Sequence, residues 1–203
     1  MSQDAFYRLG LRVLNRLPSE GTGRIVMVTS AREGEGKTFV ARALARALAA
    51  QCSGPVALVD CTLDRQAASV PGWSDLVDTG QWQAQWGQTS SSQTPEVPSP
   101  ALISAGTRMR AETLFRPEAV AQALDVLRQR FAMTVVDAPC LAACGALGRH
   151  TDGTLLVVNA SITRREVVQG ALAANPIPAD RLMGAVLNQR PEYVPNWLYR
   201  RVL

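Results

Sequence analysis

The chain has 203 residues, of which 47% are apolar and 19% charged, with 15 Gly and 12 Pro. That composition excludes collagen-like, disordered and disulfide-scaffold classes and fits one globular domain with at most short tails. The formal net charge of +4 is too mild for a nucleic-acid-binding stripe, and no apolar run approaches the ~18 residues of a membrane span.

The first element is an amphipathic stretch, residues 4–17. It sets Phe6, Leu9, Val13 and Leu17 on one face and Arg8, Arg12 and Arg16 on the other. Such a helix packs on its own domain, sits at a subunit interface or lies on an anionic membrane surface. It lacks the apolar core and small-residue cleavage site of a secretory signal, so the expected location is cytoplasmic, peripheral at the inner membrane if the helix binds lipid. Residues 24–29 (RIVMVT) read as a buried strand. Residues 38–50 then read as a helix, with Val40, Leu44, Ala47 and Leu48 on one side and Arg42 and Arg46 on the other. Strands are expected at 55–60 and 101–104. A helix over 117–131 opens on Pro117 and Glu118 and carries an apolar stripe of Val120, Leu124, Leu127 and Phe131. A strand at 132–137, a strand at 154–158, a helix at 164–174 and a strand at 183–188 complete the pattern. Strands apolar on both faces, alternating with amphipathic helices, predict an α/β fold with a mostly parallel sheet covered on both sides. The Ser/Pro-rich segment 87–100 reads as a loop insertion. The expected organisation is an N-terminal helix or tail over 1–20, a core over 21–192 and a basic aromatic tail over 193–203.

The chemistry concentrates between the first strand and the first core helix, in Thr29-Ser30-Ala31-Arg32-Glu33-Gly34-Glu35-Gly36-Lys37-Thr38. A Gly-containing turn at a strand-to-helix junction gathers backbone N–H groups into one concavity, and the helix N-terminus adds partial positive charge. Residues Arg32, Glu33, Gly34, Glu35, Gly36, Lys37 and Thr38 would therefore cradle a phosphate chain. Lys37, the one lysine beside twenty arginines, would neutralise the outer phosphates, and the Thr38 hydroxyl would ligate Mg²⁺. The strict G-x-x-x-x-G-K-[ST] pattern fails at its first Gly, replaced by Ala31. Two carboxylates, Asp60 and Asp137, end strands whose carboxyl ends face the same edge. With Thr38 they make up the expected metal set, and with Lys37 the expected catalytic set, one acid holding Mg²⁺ and another orienting or deprotonating a nucleophile. Cys140 and Cys144 are four apart, but a zinc site needs more ligands than these and the single His150 supply; reduced thiols are expected.

These residues resemble those of the bacterial tyrosine kinases (BY-kinases) of capsule and exopolysaccharide export, within the MinD/ParA-like P-loop NTPases. The likeness runs through the phosphate loop Gly34–Thr38, the segment LVDCTLDR around Asp60 and Gly72-Trp73-Ser74-Asp75-Leu76. It continues through Leu102–Gly106, the Walker B-like FAMTVVDAP at Phe131–Pro139, Asp152-Gly153 to Thr163 and Gly184–Asn188. It implies ATP and Mg²⁺ as cofactors and Asn188 at the adenine. A polysaccharide co-polymerase or export protein of the inner membrane is the implied partner, and a homo-oligomer is a further one. The sequence departs from the group in four places. Thr62 stands where a second acid is usual, with Asp64 nearby. Asp4, Tyr7 and Gly10 stand in the N-terminal Glu-x-x-Arg-x-x-Arg oligomerisation motif. Tyrosines near the C-terminus are reduced to Tyr193 and Tyr199. Arg32 replaces the lysine that MinD/ParA relatives supply across a dimer. Three readings follow: an ATPase or tyrosine-kinase-like phosphotransferase, a catalytically weakened nucleotide-binding regulator of the export complex, and a MinD/ParA-like ATPase. DNA binding, which a ParA-like protein would show, is disfavoured by the mild charge.

Overall fold

The computed structural model describes residues 3–17, 23–62, 70–83, 86, 98–107 and 110–189. The 87–97 part of the expected loop, Asp64 and the 193–203 tail with Tyr193 and Tyr199 lie outside them. Six strands form one sheet: β1 (Arg24–Ser30), β2 (Val56–Asp60), β3 (Ala101–Ile103), β4 (Met133–Asp137), β5 (Gly153–Asn159) and β6 (Leu182–Asn188). Their order is β3-β2-β4-β1-β5-β6, and every pairing is parallel. The expected α/β architecture with a parallel sheet is therefore the observed one.

Period-2 burial on both faces explains why these strands read as continuous apolar runs. On one face Val26, Val28, Leu58, Val135, Leu155 and Val157 pack against α1 (Gln3–Arg16) and α2 (Lys37–Ala49). The amphipathic N-terminal stretch thus packs on the domain: Phe6 and Val13 are buried, and Phe6 meets Phe39 of α2 edge to face at 5.6 Å. Ile25, Met27, Ala57, Val59 and Val136 point the other way. They meet α3 (Trp73–Thr79), α4 (Ala111–Leu114), α5 (Pro117–Arg130) and α6 (Leu147–His150). Further along that side, Leu156 and Val158 contact α7 (Arg165–Ala174) and the 3-10 turn Leu141–Ala143.

Long elements fall within a residue or two of their expected bounds. The short helices α3, α4 and α6 are additions, because seven residues or fewer carry too little periodicity to separate a helix from a loop. α3 instead depends on tertiary anchors. The Asp75 carboxylate accepts N–H bonds from Gly72 and Thr107, both at 2.9 Å, and the Thr107 hydroxyl at 2.5 Å. Below the sheet, Asp152 accepts the Ile25 amide at 2.7 Å and Arg128 at 2.9 Å, fixing β1 to α5.

Candidate phosphate-binding site

The loop between β1 and α2 is built by backbone geometry. Gly34 has φ 80° and Gly36 φ 90°, left-handed values that a side chain resists. At Gly36 a Cβ would also meet Asn188 Nδ2 at 2.2 Å, whereas at Gly34 nothing lies within 4 Å. Torsion therefore favours glycine at both positions, and a side chain at Gly36 would also push the Asn188 amide off the Glu35 carbonyl. α2 begins at once with Lys37 and Thr38, so the amides of its first turn and its positive dipole end close the loop.

Two glutamates support this loop in different ways. Glu35 is 1% exposed. Its Oε1 accepts the Thr163 hydroxyl at 2.7 Å, and its main-chain oxygen accepts Asn188 Nδ2 at 3.0 Å. The buried side of the loop is thereby tied to the ends of β5 and β6. Glu33 stays half in solvent and accepts the Lys37 ammonium at 2.6 Å. Its other oxygen accepts the Cys140 amide at 3.0 Å. Arg32 is exposed, with its carbonyl accepting the Ser30 hydroxyl at 2.5 Å.

Register brings the acids together, since Asp60 lies opposite Asp137 on neighbouring strands. Burial pushes the Asp137 carboxyl up to about 6, and the Asp60 charge adds to that. A hydrogen bond from Thr38 and the charges of Lys37 and Arg42 oppose it. Asp137 Oδ1 is buried with no hydrogen-bond partner. A buried carboxylate oxygen without a donor, beside a threonine hydroxyl, is a hard-oxygen pair that suits Mg²⁺. Asp60 is held by Thr62, whose amide (3.0 Å) and hydroxyl (2.5 Å) both donate to its Oδ1. No group of three or more His, Cys, Asp or Glu able to hold a metal occurs among the described residues. The thiols beside the site are suppressed: burial, then the charges of Asp60 and Asp137, raises Cys61, and burial pushes Cys144 up to about 11.

All the expected site residues therefore lie on the loop or at the adjoining strand ends. Asn188 is 7% exposed and its amide nitrogen is committed to the loop backbone. Sequence reasoning did not single out Thr163 as a site residue or Glu35 as a buried strut. Their contact spans 128 positions, and only Thr163's place at the end of the Asp152–Thr163 stretch hinted at it.

Neither a protein-family model nor a curated protein matches the chain by sequence. Solved structures do match. The kinase domain of VpsO is 26% identical over 92% of both chains, with a TM-score of 0.71. The kinase domain of the Escherichia coli tyrosine kinase ETK is 21% identical over 93% of this chain and 75% of its own, at 0.73. The Mg-ADP complex of the septum site-determining protein MinD from Pyrococcus horikoshii is 16% identical over 89% and 77%, at 0.57. The resemblance drawn from the motifs thus holds at the level of the fold, which the chain shares with these kinase domains and with MinD.

Proposed function

We propose that this chain binds MgATP in the β1–α2 loop and either hydrolyses it or passes its terminal phosphoryl group to a tyrosine, in the biosynthesis or export of a surface polysaccharide. The carrying observation is convergence: the one lysine, a glycine turn at positive φ and an unpartnered Asp137 oxygen meet at the carboxyl edge of β1 and β4. Lys37 and the loop amides would hold the phosphates and stabilise charge as it shifts toward the leaving oxygen. Thr38 and Asp137 would hold Mg²⁺, with Asp60 beside them, and the ion would neutralise charge on the phosphates. Asp60 is the candidate to orient the attacking hydroxyl or water. Asn188 would stand near the base, and a membrane-bound export protein is the proposed partner. No helix among the described residues is long and apolar enough to cross a membrane.

Lys37→Met is expected to abolish ATP turnover and to weaken nucleotide binding by about a hundredfold or more, the loss of a charge-assisted phosphate contact. Phosphate release and phosphotyrosine mass spectrometry on both proteins check this; unchanged turnover in the variant refutes the assignment. A second reading, a nucleotide-binding regulator with weakened catalysis, is favoured by Thr62. Its hydroxyl and amide restrain Asp60 where a further carboxylate is usual in the resembled group. Tight MgATP binding with neither phosphate release nor phosphotyrosine would select it.

A further inference from the structure

We propose that Glu33 sets the loop's affinity for phosphates by acting as an internal anion that an incoming phosphate must displace. The inference rests on the nucleotide-binding reading of the same loop. Lys37 is 5% exposed, and its ammonium donates to Glu33 Oε2 at 2.6 Å. Glu33 Oε1 takes the Cys140 amide at 3.0 Å. One carboxylate therefore bridges the cation that opens α2 and a main-chain donor just beyond β4. An ammonium and a backbone amide converging on one group of oxygens is the donor set that holds a phosphate. In this structure a side chain supplies those oxygens.

Glu33 is suited to give way. Its side chain is 56% exposed while that of Lys37 is 6% exposed, so the carboxylate can turn into water and leave the ammonium in place. Burial works against its charge, but the Lys37 and Cys140 bonds outweigh it and hold the carboxyl below its usual value. The group is therefore an anion at neutral pH. Glu35, two positions on, is enclosed and bonded to Thr163 and has no such freedom.

Two measurements test this on the full chain. Calorimetric titration with MgADP and with inorganic tripolyphosphate compares the unmodified protein with Glu33→Gln, Glu33→Ala and Lys37→Met. Both Glu33 variants are expected to bind both ligands about two- to fivefold tighter, the range for losing a half-exposed ion pair as competitor. Without ligand, acetic anhydride reports on Lys37 alone among side-chain amines, because the chain has no other lysine. Mass spectrometry of the Lys37 peptide is expected to show faster acetylation in Glu33→Gln. Equal or weaker ligand binding by the Glu33 variants overturns the internal anion alone, provided that the unmodified protein binds MgADP and Lys37→Met does not. Failure of the unmodified protein to bind MgADP overturns the nucleotide reading along with it.

Discussion

The two flanks of the sheet are built to different standards. On the β2–β4–β1 side the strands meet α3 and α5 through enclosed residues, among them Trp73, Leu76, Leu124 and Leu127, all 0% exposed. On the β5–β6 side, α7 buries no residue fully, and the cluster beneath it holds only Leu141, Leu156 and Val158 as buried members. β6 leaves Leu187 at its far end 51% exposed. Each flank contributes to the candidate site. Asp60 and Asp137 come from the enclosed side, while Thr163 and Asn188, the supports of Glu35, come from the open side. The acids are thus held by dense packing, and the loop's curvature is held by a few hydrogen bonds to a looser neighbour.

The largest test of that contrast is a pair of truncations. Leu124→Ala is expected to cost about 3 kcal/mol, as for a fully enclosed leucine. Leu172→Ala on α7 is expected to cost about 1 kcal/mol, because Leu172 is only partly buried against its cluster. Urea denaturation measures both, and equal losses would break the comparison. Next in size is Asp137→Asn. A carboxyl raised from 3.8 to about 6 in the fold binds more protons folded than unfolded, so stability falls as pH rises through that window. Removing the charge is expected to stabilise the chain by about 3 kcal/mol at pH 7.5 and by almost nothing at pH 3. Melting curves at the two pH values check the sign. Mg²⁺-dependent nucleotide binding should fall in the same variant. Smallest is Thr163→Val, which removes one hydrogen bond to Glu35. Nucleotide affinity is expected to drop about fivefold and stability by about 1 kcal/mol, because the enclosed Glu35 carboxylate loses its Thr163 donor, with Thr163→Ser restoring both. An unaltered affinity would show that the open flank does not shape the loop.

Most of the fold was legible because its elements are long or doubly buried. α5 carries an apolar stripe over 14 residues, and β5 buries all seven of its residues, so local pattern and final environment agree. α3 was not legible because what holds it, the Asp75 bonds to Thr107, lies 32 positions away. The phosphate loop and the two acids could be read from residue type and position at strand ends. The Glu33–Lys37 pair had a visible signal, a carboxylate four residues before a lysine, but the loop reading gave that spacing no role. The Glu35–Thr163 bond had only Thr163's place at the end of the Asp152–Thr163 stretch, since hydrophobic periodicity says nothing about a polar contact between distant loops.

Strand order carries a consequence for how the polypeptide is made. β1 does not pair with β2, the next strand to leave the ribosome; its neighbours are β4 and β5, with Arg24 opposite Met133 and Val26 opposite Gly153. During synthesis, then, the strand that launches the phosphate loop waits with both edges bare until much of the polypeptide has emerged. Pairings so remote in sequence assemble slowly and leave apolar edges open to misassociation. Nascent chains halted before residue 133 should therefore depend on chaperones, and those released after β5 should not.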